Sequence, residues 1–231
     1  MAKHGKKYRG IAKALPKDLV SVEEAVKFVK AHPAAKFDET LEVAMRLGTG
    51  VVKSDTPVRG TVKLPAGSGK KVVVAVFAGG EQAEQARAAG ADYVGLDDLI
   101  EKITKDGWCE FDVAIATAEA MKSVRKCARV LGPRGLMPNP KTGTVTEDPA
   151  TAVKESKAGK VDFRMDKTGN VCVVAGKLSF DAEKLVANVN AVVAAVVAAK
   201  PVAAKGQFIK SLTLSSTMGV GVPCQLAVDA E

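Results

Sequence analysis

The period of the apolar residues changes twice along this chain, as expected if one folding unit is set inside another. Between residues 67 and 158, continuous apolar runs alternate with helical stretches. Lys71-Val72-Val73-Val74-Ala75-Val76-Phe77 is uninterrupted in the way a strand buried on both faces requires. Gly79-Gly80 follows, then a helical pattern over 81–89 ended by Gly90, a short strand over 92–95, and a helix over 96–104 with Leu96, Leu99, Ile100 and Ile103 on one face. A third strand is predicted over 111–116 and a third helix over 120–131, stopped by Gly132-Pro133. Such alternation with short links argues for a parallel sheet covered by helices on both faces.

The flanks have another rhythm. Ser21 is a fitting N-cap for a helix carrying Val22, Val26 and Val29, with Glu24 placed to complete a capping box. From 37 to 47 the residues alternate, Leu41, Val43, Met45 and Leu47 on one face against Thr40, Glu42 and Arg46 on the other, which predicts a half-buried strand. Further strands are predicted over 58–64, 161–165, 171–175, 208–217 and 225–228, the second and third joined as a hairpin through Asp166-Lys167-Thr168-Gly169-Asn170. A long alanine- and valine-rich helix is predicted over 181–199. Neither flank has enough elements to stand alone, but together they make a helix-backed, mainly antiparallel sheet. The expected architecture is a split α+β domain, residues 1–66 plus 159–231, with a Rossmann-like three-layer α/β domain, residues 67–158, inserted in it.

Charge follows the same division. Residues 1–66 carry 13 lysines and arginines against 7 acidic residues, 67–158 carry 13 of each, and 159–231 carry 8 against 6, so the flanks hold the whole formal net charge of +8. A basic surface confined to one unit favours a polyanionic partner over mere solubility. Two histidines leave little acid–base chemistry near neutral pH. Cys109, Cys127, Cys172 and Cys224 show neither CxxC nor ligand spacing, which predicts four buried free thiols and no metal. The longest apolar run, 192–199, is too short to span a bilayer, and no secretory signal opens the chain, so a cytoplasmic location without membrane contact is expected.

Two near-motifs fail. Gly67-Ser68-Gly69-Lys70 is close to a phosphate-binding loop, but Leu64 stands where its first glycine belongs and a strand follows instead of a helix. Gly79-Gly80 lacks the remainder of a dinucleotide fingerprint. A nucleotide-dependent enzyme built on the inserted sheet would hold its ligand near Gly79-Gly80, Gly95 and Thr117, and the neutral charge there argues against it. Leu131-Gly132-Pro133-Arg134-Gly135-Leu136-Met137-Pro138-Asn139-Pro140-Lys141-Thr142-Gly143 can be neither helix nor interior strand. In it, Arg134 and Lys141 either meet phosphates or stay solvated while Leu136 and Met137 plug the domain. Arg164 and Lys167 flank a turn, where lysine is also routine; the row from Ser211 to Thr217 either offers hydroxyls to sugars and phosphates or is an ordinary polar sheet face; and Lys36-Phe37 sets a cation beside an aromatic that, taken alone, reads first as core.

These stretches occur together with Lys36-Phe37-Asp38-Glu39-Thr40-Leu41-Glu42, Ser54-Asp55, Val58-Arg59-Gly60-Thr61-Val62, Ala89-Gly90-Ala91-Asp92-Tyr93-Val94-Gly95, Gly107-Trp108 and Ser216-Thr217-Met218-Gly219. In that order the whole chain closely resembles the family of the first large-subunit ribosomal protein in its bacterial form. The resemblance implies the split architecture and a structural constituent of the large ribosomal subunit, with no enzymatic activity and no cofactor. It implies binding to the mobile stalk of large-subunit rRNA beside the exit-site tRNA. It also implies repression of the protein's own operon through a stalk-like site in its mRNA, and a monomer when free of the ribosome. On matching positions, RNA contacts would fall on Lys36, Phe37, Thr40 and Glu42, on Arg164, Lys167 and Thr168, and on Ser211, Thr217, Met218 and Gly219, with Arg134 and Lys141 as secondary contacts.

Overall fold

The structure, a computed structural model, describes residues 5–16, 18–48, 58–201, 204 and 206–225, Lys141 through its backbone alone. In chain order its elements are α1 (Lys6–Ala14), α2 (Val22–Ala31), β1 (Thr40–Leu47), β2 (Arg59–Lys63), β3 (Val74–Phe77), α3 (Gly80–Ala88), β4 (Tyr93–Gly95), α4 (Asp97–Asp106) and β5 (Val113–Ala116). There follow α5 (Met121–Val124), α6 (Ala128–Leu131), α7 (Pro149–Lys157), β6 (Lys160–Arg164), β7 (Asn170–Lys177), α8 (Ala182–Ala198), β8 (Ile209–Ser216) and β9 (Val222–Cys224). The chain forms two compact units, Met1–Lys70 with Val161–Glu231, and Lys71–Lys160.

In the first unit an antiparallel sheet has the order β7-β1-β8-β9. Central β1 buries Leu41, Val43, Met45 and Leu47 and turns Glu42 and Arg46 outward, as its alternation predicts. The buried face packs on α2 and α8 through Val26, Val29, Leu185, Val189 and Val192. The capping box at α2 is complete, with Ser21 and Glu24 each accepting the other's backbone N–H at 3.2 Å. Such a cap contributes on the order of 1 kcal/mol. Buried Asn188 of α8 accepts from the Ala66 N–H at 3.0 Å and donates to the carbonyls of Gly67 and Ala175 at 3.0 and 2.7 Å. These bonds hold the segment after β2 on the first unit, which ends at Lys70 where the charge and pattern boundary lay at 66.

The expected hairpin over 161–175 is half right. Its turn closes, the Asp166 N–H donating to the Asn170 carbonyl at 2.9 Å. Its arms, however, enter different sheets: β7 pairs with β1, whereas β6 joins β2 in a separate two-stranded ribbon. Gly60 makes that ribbon possible, because the Phe163 ring lies where its side chain would stand, within 2.8 Å of a Cβ built there. The last strand is Val222–Cys224, ahead of the predicted 225–228, of which 226–228 lie outside the described residues, as do Ser54 and Asp55. Nothing in the pattern signalled α1, which buries no residue.

The second unit is a three-stranded parallel sheet, order β4-β3-β5. All four residues of β3 are buried. On one face Val74, Val76 and Ile115 meet Ala86 of α3 and Ala152 and Val153 of α7. On the other, Ala75 and Phe77 meet Leu99, Ile100 and Ile103 of α4 with Val124 and Leu131 of the α5–α6 stretch. The result is three layers of the Rossmann-like kind. Strand β3 begins at Val74, three residues after the expected start, because the Asp112 and Asp92 carboxylates take the N–H groups of Val73 and Val74 at 3.1 and 2.9 Å. The single helix expected over 120–131 is interrupted by a 3-10 turn at Arg125–Cys127, which brings the buried Cys127 thiol within 3.6 Å of the Ile100 carbonyl. Helix α7 was not anticipated, although Asp148-Pro149 is a regular N-cap and first-turn pair. The four cysteines are free as expected, but only Cys127 and Cys224 are buried; Cys109 is half-buried and Cys172 exposed.

Candidate nucleic-acid interface

Because α2 and α8 occupy one face of the antiparallel sheet, its other face is open. The register across β7, β1 and β8 sets Asn170, Arg46 and Ser211 in one row, Cys172, Ala44 and Thr213 in the next, and Val174, Glu42 and Ser215 in a third. All nine are exposed or half-buried. A fourth row, at the start of β1, brings Thr40 beside Lys177, whose ammonium donates to Thr40 Oγ1 at 2.9 Å.

At that end the loop before β1 is bound to the turns after β7 and β8 in one platform. The Asp38 carboxylate accepts from the Ser179 N–H at 3.1 Å and its hydroxyl at 2.9 Å. Glu39 is 1% exposed, and its carboxylate accepts from the Ala35 N–H at 2.5 Å and the Met218 N–H at 3.4 Å. Burial works to raise the Glu39 pKa. The Ser216 hydroxyl and the N–H groups of Ala35, Met218 and Ala34 outweigh it, and the carboxyl is held below its ordinary range. Thr217 Oγ1 accepts from the Thr40 N–H at 3.0 Å, closing the second link between the loops. Above this polar base stand Phe37, 58% exposed, and Met218, 59% exposed, with the Lys36 side chain also in solvent. Two large apolar side chains held outward on a rigid hydrogen-bonded base are suited to a flat, apolar-faced ligand, as an unstacked base is.

The other end of β1, about 20 Å away by strand rise, carries the turn after β6. Asp166 accepts from the Thr168 N–H and hydroxyl at 2.9 and 2.7 Å and from the Asn170 N–H at 2.7 Å. The Asn170 N–H, then the Thr168 hydroxyl, hold its pKa down against a small desolvation. Exposed Arg164 and Lys167 flank the turn, and Ser211 lies near it through the Arg46 row.

Known proteins resemble this chain along almost its whole length. Residues 29–220 match the Ribosomal protein L1p/L10e family. The large ribosomal subunit protein uL1 of Thermobifida fusca (strain YX) is 53% identical over 96% of this chain and 94% of its own. That of Solibacter usitatus (strain Ellin6076) is 50% identical over 97% and 95%. The chain belongs to the ribosomal protein L1 family. That family is structural, not enzymatic.

For a member of the L1 family, the sequence-derived positions sort into two clusters toward the two ends of β1, with Arg164 on the separate β2–β6 ribbon. Lys36, Phe37, Thr40, Thr217, Met218 and Gly219 gather at one end; Arg164, Lys167, Thr168 and Ser211 at the other; Glu42 lies between. Three hydroxyls among them are already bonded within the protein, Thr40 to Lys177, Thr217 to Thr40 and Thr168 to Asp166. Gly219 has an internal reason to be glycine, since a Cβ there would stand 2.3 Å from Ser216 Oγ. Sequence reasoning missed Glu39 and Arg46 as site residues. Arg46 was legible as a cation on the polar side of β1, while Glu39 looks solvated until the fold covers it. In the second unit, Arg134 is exposed while Leu136 and Met137 pack against the core, and the Lys141 side chain lies outside the described residues.

Proposed function

We propose that this chain is a structural constituent of the large ribosomal subunit that grips the mobile stalk of its rRNA with the open sheet face and the Glu39-bound platform. The observation that carries the reading is the pairing of exposed Phe37 and Met218 on that platform, in the unit that holds the whole positive excess. Phe37 and Met218 pack on bases or sugars. Lys36, Arg164 and Lys167 meet phosphates, which position RNA without reading its sequence. Glu42, Thr40 and Ser211 supply polar groups for base edges and 2′-hydroxyls. Thr168, Thr217 and Gly219 hold their loops in shape, so their part in binding is to fix the groups beside them.

The same surface supports two finer roles. A stalk-like site in the protein's own mRNA competes for it, which represses translation of the operon, and the bound stalk lies next to the exit-site tRNA. Arg134 and Lys141 make secondary contacts. The protein acts in the cytoplasm on the ribosome and is a monomer when free. Among the described residues no helix is long and apolar enough to cross a membrane.

The test is binding to a stalk rRNA fragment against an unrelated hairpin over a range of salt. Affinity is expected to fall with a log–log slope of roughly 0.7–0.9 per phosphate neutralised, and the stalk fragment to bind tighter at every salt. A slope near zero, or equal affinity for both RNAs, overturns the reading.

A further inference from the structure

The neutral second unit is not neutral locally. Of its 13 lysines and arginines, six lie between Glu119 and Glu147, a stretch without one acidic residue: Lys122, Arg125, Lys126, Arg129, Arg134 and Lys141. The 13 acidic residues all lie outside it. Folding turns this run into a surface. Through α5, the 3-10 turn and α6, the buried stripe is Ala120, Val124, Cys127 and Leu131, packed on the sheet and α4. Lys122, Arg125, Lys126 and Arg129 follow the same spacing on the opposite side, and all four are exposed. Just past the helix end Arg134 is exposed too, on a turn closed by the Gly135 N–H donating to the Gly132 carbonyl at 3.0 Å.

Among the described residues none of these five cations has an acidic partner within ion-pair distance, whereas Lys105, Lys157, Lys160 and Lys184 do. A helix C-terminus favours a cation in its last turn, which accounts for Arg129. It does not account for Lys122, Arg125 and Lys126. Four like charges along about 10 Å of helical stretch repel one another, and a polyanion with closely spaced charges relieves that repulsion. The prolines at 133, 138 and 140, with Leu136 and Met137 anchored in the core, hold the loop that carries Arg134 beside the stripe.

We infer that the α5–α6 face of the second unit is an independent docking surface for the phosphate backbone of double-stranded RNA, engaged without sequence readout. An extended row of point charges with no exposed aromatic between them fits regularly spaced backbone phosphates; stacking on single-stranded bases needs aromatic rings. The site belongs to the second unit alone and does not depend on how the first unit's platform recognises its RNA.

The test compares three full-length proteins on a random-sequence RNA duplex across a salt series: the wild type, Lys122→Gln/Arg125→Gln/Arg129→Gln, and Lys102→Gln/Lys105→Gln/Lys154→Gln. The control removes the same charge from elsewhere on the same unit. The first variant is expected to bind the duplex roughly tenfold more weakly at low salt, with a log–log slope smaller by about 2–3. The control is expected to change little. The first variant's preference for stalk RNA over an unrelated hairpin should match wild type, which separates this surface from the platform. Equal losses in the two variants would reduce the effect to net charge and overturn the proposal, as would unchanged duplex binding in the first.

Discussion

The carboxylate of Glu39 accepts the backbone N–H of Met218 at 3.4 Å across 179 positions of sequence, and its other oxygen holds Ala35. This bridge joins the loop that carries Phe37 to the turn that carries Met218. Removing it leaves two N–H groups without partners in a covered site, at about 1–3 kcal/mol each. Glu39→Ala is therefore expected to be destabilised in urea and to lose stalk affinity, although Glu39 itself is buried.

The same carboxyl makes stability depend on pH. Its folded pKa lies below the ordinary value of 4.5, so its contribution is complete above that value and is lost as pH falls through the lower folded pKa. Unfolding curves from pH 6 down to pH 3 should show a steeper loss in the wild type than in Glu39→Gln, in which the group cannot ionise. Parallel curves would mean that folding does not shift the Glu39 pKa, and a relative gain of the wild type toward acid would mean that the folded carboxyl is neutral.

Phe37 and Met218 separate binding from folding. Both project into solvent, so Phe37→Ala and Met218→Ala should leave stability within about 0.5 kcal/mol. Loss of one base stack costs about 1–3 kcal/mol, which predicts a stalk affinity roughly five- to 150-fold weaker for Phe37→Ala by calorimetry. Wild-type affinity in both variants would remove the platform from the binding surface.

At Gly219 the protein itself supplies the steric conflict. Gly219→Ala places a methyl 2.3 Å from Ser216 Oγ and 3.4 Å from its Cβ. Overpacking of this kind costs about 1–3 kcal/mol. Ser216 Oγ is buried and its hydroxyl helps hold the Glu39 carboxyl down, so Ser216→Ala removes the clashing atom but gives up that contribution, about 1 kcal/mol. The double variant should therefore recover part of the stability lost by Gly219→Ala. Failure to recover would place the requirement for glycine in the backbone.

Asn188 is a test of the first unit's closure. Its amide uses one acceptor and two donors on three backbone groups from two distant segments. Asn188→Leu keeps the volume and loses all three bonds. Denaturation is expected to show a loss of several kcal/mol, at about 1–3 kcal/mol for each group left unpaired. Amide exchange should rise first at Ala66.

Sequence by itself determined whatever is decided within a few residues. The alternation of Leu41, Val43, Met45 and Leu47 makes β1 a strand with one buried face, because a pleat repeats every two residues. Ser21 and Glu24 start α2 by reaching each other's backbone N–H, and continuous apolarity marks β3 for burial on both sides. The family motifs carried the candidate residues on the same terms, as local patterns. Tertiary structure decided the rest. A tight turn at Asp166 closes equally well whether or not its arms pair, and only Gly60, a hundred residues earlier, gives Phe163 room to take β6 away from β7. Helix α7 is only weakly amphipathic, and the apolar sheet face waiting for Ala152 and Val153 fixes it in place. A glutamate in a polar loop looks solvated until a turn 179 positions away covers it and donates to it. Local chemistry sets what each segment can become, while burial and long-range hydrogen bonds, which depend on groups far apart in sequence, select what it does.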